Sequence, residues 1–224
     1  MDFDPAFIRN ALIVFLLLVG SVSLHEWGHA FVADLLGDPT PDSEGRVTLN
    51  PMAHIDPIGT VVVPLINLFV FRNSFTFIAW GRPVATNPGP LHRHRDIVLV
   101  ALAGPATNLL VALAAVVAGS LTVVAQPRLA ELVNELVIMN VGLAVFNMLP
   151  LPPLDGGSLL RPLVGMSEET YLRLSQWSGL LLMVVLNLEF TRQFIALAIG
   201  LACAPYVVIS SLIKPAAAAL IFQL

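Results

Sequence analysis

The chain has 224 residues, of which 57% are hydrophobic and 12% charged, with a formal net charge of −4 and one cysteine. Soluble domains carry about 25% charged residues, so this chain cannot clothe a water-facing surface and reads as an integral protein of a lipid bilayer. The small negative charge offers a nucleic acid no handle. The lone cysteine, Cys203, excludes a disulfide or a thiolate cluster within the chain and reads as a packing residue.

Residues 1–10, MDFDPAFIRN, set Asp2 and Asp4 against Arg9, and no small-residue cleavage site precedes His25. The first apolar segment is therefore expected to be a retained helix and not a removed signal. It runs from about Ala6 to Leu36, where Gly37 and DPTPD stop it. GRVTLN, residues 45–50, alternates like a short strand. VVVPLINLFVF, residues 61–71, would reach only about 16 Å as a helix, and Arg72 and Asn73 interrupt it before SFTFIAWGRP. This predicts a re-entrant loop or hairpin over 61–79.

Residues 97–125 carry no charge and form the clearest span. The apolar run 136–151 is broken by the prolines of PLPPLDGG, and a polar loop is expected at 161–171. WSGLLLMVVLNLEF and QFIALAIGLACAPYVVISSLI then predict a final pair of helices. The expected fold is an all-α polytopic helical bundle with about five to six spans, including the re-entrant piece, and a small strand near 45–50. It is expected to form a single domain over 1–224, with a catalytic core at 6–160 and accessory helices at 170–214.

HEWGH, residues 25–29, is an H-E-x-x-H pattern inside the first span. On a helix, His25 and His29 share a face at about 6 Å and suit two bonds to one zinc ion. Glu26 lies near that face, where it can take a proton from a metal-activated water. A chance pattern would leave ionisable groups in an apolar setting without a task, at considerable cost. A catalytic zinc usually has three protein ligands. The candidates for the third are His54, His92, His94, Asp56, Asp96 and Asp155. Asp155 follows a Pro-broken helix end and precedes Gly156 and Gly157, where backbone can approach closely. The same dipeptide is also an ordinary Asp-Gly turn.

If Asp155 meets the two histidines, the ends of 6–36 and 136–151 share one side of the membrane. Arg46, Arg82, Arg93, Arg95, Arg161, Arg173 and Lys214 then fall on that side, with Arg9, Arg128 and Arg192 opposite. By the positive-inside rule the active-site side is cytoplasmic.

HEWGH, GPATN in the central span and NMLPLPPLDGG at the end of the next together resemble the site-2 protease family of intramembrane zinc metalloproteases. The resemblance covers residues 10–160 and implies one Zn2+ held by His25, His29 and Asp155, with Glu26 as the catalytic glutamate. It implies that Asn147 helps hold the substrate or its oxyanion, and that substrates are transmembrane proteins cleaved within or beside their membrane segments. TLNPMAHIDPIGT and WGRPVATNPGPLHRHRDIVLVALAGP are similar to the compact branch, which has neither PDZ nor CBS modules. A homo-oligomer is left open.

Asn108 either lines the active-site cavity or bonds across packed helices, and the GPATN match favours the cavity. Asn140 reads as an interhelical bond. His54 is open between a substrate-site group and a loop histidine, while Asp56 is expected to cap the DPIGT turn. His92, Arg93, His94 and Arg95 read as a basic cluster at the headgroups. The rivals are a zinc transporter and a catalytically silent homologue. The transporter lacks a polar path through the uncharged 97–125 span, and the intact Glu26 argues against the silent homologue.

Overall fold

The computed structural model describes residues 4–71, 79–87, 94–122 and 127–213. Helix α1 (Pro5–Leu35) starts where Asp4 accepts a hydrogen bond from the Ala6 amide at 3.0 Å and Pro5 presets the first turn. It ends at Gly37, whose φ of +94° turns the chain into the short α2 (Thr40–Ser43). After the short α3 (Val63–Ile66) come α4 (His94–Thr122), α5 (Pro127–Asn147), α6 (Asp155–Leu163), α7 (Glu168–Asn187) and α8 (Glu189–Ile213).

Four of these, α1, α4, α5 and α8, are long and apolar enough to cross a membrane. The outer faces of α1, α4 and α8 carry exposed leucines, including Leu16, Leu110, Leu197 and Leu201, which suit lipid tails and not water. α4 is the hub, packing against α1, α5, α6 and α8. Gly28 of α1 makes a close crossing with α4: a Cβ there would stand 2.3 Å from Thr107 Oγ1 and 2.9 Å from the Ala103 carbonyl oxygen. Val116, Val133, Val137, Val141, Cys203 and Tyr206 fill one core between α4, α5 and α8, so Cys203 is a packing residue. Leu18, Val22, Met139, Leu143, Phe146 and Ile195 fill a second between α1, α5 and α8.

The segment after α2 enters and leaves at one place. It winds as π-helix over Pro57–Val62, α-helix over Val63–Ile66 and π-helix over Asn67–Phe71. The chain then returns beside its own entry. The Trp80 amide donates to Gly59 O at 3.3 Å, Thr60 Oγ1 to Trp80 O at 2.8 Å, and the Arg82 amide to His54 O at 2.8 Å. Over the described residues this fits the re-entrant loop or hairpin expected at 61–79, of which 72–78 lie outside them. The interruption at Arg72 and Asn73 lies outside the described residues, as do His92, Arg93 and Lys214.

Two expectations are corrected. The small strand near 45–50 is absent, and the described residues contain no strand at all. Gly45 turns the backbone with φ +67°, and no extended partner runs beside VTL, so its alternation has no ladder to join. The polar loop at 161–171 is mostly helix, divided between α6 and α7, with Gly165 at φ +64° between them. Polar residues there form the exposed faces of helix ends, which composition alone does not separate from loop.

Candidate metal centre and active-site cleft

His25 and His29 lie one turn apart on α1, and the start of α6 brings Asp155 against them. Asp155 Oδ2 is 3.2 Å from His25 Nε2, Asp155 Oδ1 is 3.3 Å from His29 Nε2, and the two Nε2 atoms are 3.1 Å apart. The tight PLPPLDGG turn sets the carboxylate there. A Cβ on Gly156 would stand 2.3 Å from Met148 O, and one on Gly157 would stand 2.6 Å from Pro152 N. Only glycine lets α6 fold back this closely on the end of α5.

The other ring nitrogens are held from behind. His29 Nδ1 donates to Val100 O at 2.7 Å, and His25 Nδ1 donates to Asn108 Oδ1 at 2.6 Å. With hydrogen on both Nδ1 atoms, each Nε2 offers a lone pair to the same point as the carboxylate. Lone pairs that converge without a hydrogen between them repel unless a cation lies among them. Asp155 Oδ2 is accordingly buried without a hydrogen-bond partner. A tetrahedral ion with bonds of about 2.0–2.1 Å separates its ligand atoms by about 3.3 Å, which these distances match. The residues fit one small cation, and among the described residues no other group of His, Cys, Asp or Glu side chains does.

Glu26 faces the same cleft, a cavity of about 600 Å³ also lined by His25, His29, Asn147 and Asp155. Another wall is the segment 79–87, which is neither helix nor strand, through Trp80, Gly81, Pro83, Val84 and Thr86. Gly81 lies on the glutamate itself: a Cβ there would be 2.4 Å from Glu26 Cγ. Asn147 borders the cavity and spends one amide hydrogen on Leu143 O at 3.0 Å.

The remaining candidates lie elsewhere. Asn108 is fully buried behind His25, bonded across helices to Asn140 at 2.8 Å, so its amide backs the metal-side histidine and does not line the cavity. His54 is a buried loop residue whose Nε2–H donates to Thr48 O at 2.8 Å, away from the cleft. Burial pushes its pKa down, with Arg46 adding to this and the Thr48 bond opposing it. Asp56 caps its turn, accepting from the Ile58 and Gly59 amides at 3.0 and 2.6 Å.

Sequence reasoning treated Arg46 only as a topological charge. It is 1% exposed, and its guanidinium donates to the carbonyls of Ala53, Arg82 and Pro83, tying the 45–53 loop to the cavity wall. Burial pulls its pKa below the ordinary guanidinium value, countered by the Glu26 charge. Asp38 holds the far end of that wall, accepting from the Asn87 amide at 2.7 Å and the Thr40 amide at 3.0 Å.

Comparison with known proteins gives the family of the chain. A family model described as Peptidase family M50 matches residues 121–186, which include Asp155. YwhC of Bacillus subtilis is 32% identical over 178 residues, covering 75% of this chain and 77% of its own length. Rip2 of Mycolicibacterium smegmatis is 31% identical over 180 residues, covering 77% and 67%. Rip2 of Mycobacterium tuberculosis is 30% identical over 180 residues, covering 76% and 64%. Each is named, by inference, as a zinc metalloprotease. No solved structure matches the chain. The chain belongs to peptidase family M50, the site-2 protease family.

Proposed function

We propose that the chain is a zinc endopeptidase that hydrolyses peptide bonds within or next to transmembrane segments of membrane proteins, as in regulated intramembrane proteolysis. The observation that carries this reading is the convergence of His25, His29 and Asp155 donor atoms at 3.1–3.3 Å, beside Glu26, inside a bundle of apolar helices. His25, His29 and Asp155 are the zinc ligands. When bound, zinc supplies Lewis acidity, making a water more acidic and polarising the scissile carbonyl. Glu26 accepts the proton of the attacking water and returns one to the leaving amine. Asn147 keeps its second amide hydrogen for the oxygen on which charge develops.

A helical substrate hides its carbonyls in its own hydrogen bonds and must unwind before attack. Backbone for pairing with the unwound stretch is offered by 79–87, which runs along the cavity. The excess of cationic residues on the metal side supports a site that faces the cytoplasm. The experiment is a proteomic comparison of membrane-protein fragments from cells carrying the wild type and Glu26→Gln. The reading expects fragments cut in or beside membrane segments that vanish in the variant. Identical fragment sets in both would remove it.

A further inference from the structure

From His25 a chain of buried amides runs away from the cavity into the packing between α1, α4 and α5. Asn140 Nδ2 donates to Leu136 O at 2.9 Å and to Ser21 Oγ at 2.9 Å. A backbone carbonyl can only accept, so the Asn140 amide has one orientation, with Oδ1 toward Asn108. Asn108 Nδ2 donates to that Oδ1 at 2.8 Å and to Ser21 O at 3.3 Å. Both partners accept here, which leaves Asn108 Oδ1 facing His25 Nδ1 at 2.6 Å. That nitrogen must then carry the ring hydrogen.

Ser21, Asn108 and Asn140 are 2%, 0% and 0% exposed, so water does not compete for any of these bonds. His29 reaches the same state by a separate route, through Val100 O alone.

We propose that Asn140, acting through Asn108, is a positioning residue that holds His25 as its Nδ1–H tautomer and so keeps the Nε2 lone pair on the metal side. Its consequence for zinc rests on the function proposed above; the tautomer itself does not. Asn140 touches neither metal nor substrate and lies in none of the sequence motifs. Its influence is confined to one of the two histidines.

The test is ¹⁵N NMR of the imidazole rings in zinc-free, histidine-labelled full-length protein in micelles, joined to zinc affinity by chelator competition. The wild type is expected to carry hydrogen on Nδ1 of both His25 and His29. Asn140→Leu is expected to shift His25 to a tautomer mixture, leave His29 unchanged and weaken zinc binding about 10- to 100-fold. Ser21→Ala, which keeps the Leu136 anchor, is expected to retain the wild-type tautomer. Hydrogen on Nε2 and not on Nδ1 of His25 in the wild type would overturn the proposal without recourse to any variant. So would an Asn140→Leu protein with an unchanged His25 ring. A wild type with the expected tautomers but no zinc binding would sink the protease reading and leave the orientation of His25 standing.

Discussion

Gly104 of α4 lies against the paired histidines of α1: a Cβ there would stand 2.3 Å from His29 Nε2 and 2.6 Å from His25 Nε2. The contact explains why GPATN belongs with HEWGH, since a bare backbone at 104 leaves room for two rings and an ion. α4 cannot slip aside, because Gly28 closes the same crossing against Thr107 and Ala103. Gly104→Ala is therefore expected to lower zinc affinity at least about 10-fold, with an overpacking cost of about 1–3 kcal/mol. Metal analysis and thermal unfolding of the purified variant measure the two effects separately.

Gly81 has the corresponding relationship to Glu26. Here the clash falls on a side chain that can rotate, so the fold and the metal ligands are spared while the base is displaced. Gly81→Ala should keep its zinc and lose about 100-fold in turnover. Substrate cleavage measured at matched zinc content checks this, and unaltered turnover would detach Glu26 from the wall at 79–87.

The parts legible in sequence are those set by local rules. Helix periodicity alone puts His25, Glu26 and His29 at one cleft, and the Pro and Gly residues around Asp155 mark a broken helix end. Contacts between distant segments were not legible. Arg46, in a turn rich in polar residues, looks like a solvated charge, and only the fold reveals the three carbonyls around its guanidinium. Residues 45–50 alternate like a strand, but a strand needs a partner that sequence does not supply. Asn140 reads as an interhelical bond, which it makes to Asn108, whereas the GPATN match points Asn108 to the cavity, which it does not line. Their meaning depends on α1, α4 and α5 meeting at one level.

Arg46 holds the cavity wall by geometry that an ammonium cannot reproduce. Arg46→Lys is expected to cost about 2–4 kcal/mol, since buried carbonyls lose their donors. With the wall at 79–87 loosened, substrate KM should rise more than kcat falls. A fall confined to kcat would instead assign Arg46 an electrostatic role toward Glu26.

His54 gives the same loop a pH dependence. Burial and then Arg46 depress its pKa, so the folded loop refuses a proton that a free histidine accepts below about pH 6.5. The stability contributed by the neutral ring is therefore complete above that pH and declines as pH falls through and below it. Hydrogen exchange at the Arg82 amide, which donates to His54 O, should speed up on acidification after correction for intrinsic rates. His54→Gln should abolish that pH dependence.

The central claim is that Glu26 acts as the base beside a zinc held by His25, His29 and Asp155. The most direct test is cleavage of a transmembrane substrate by purified protein in liposomes, comparing the wild type with Glu26→Gln at equal zinc occupancy. The account predicts one zinc per chain in both and cleavage by the wild type alone. Cleavage persisting in zinc-loaded Glu26→Gln would contradict it.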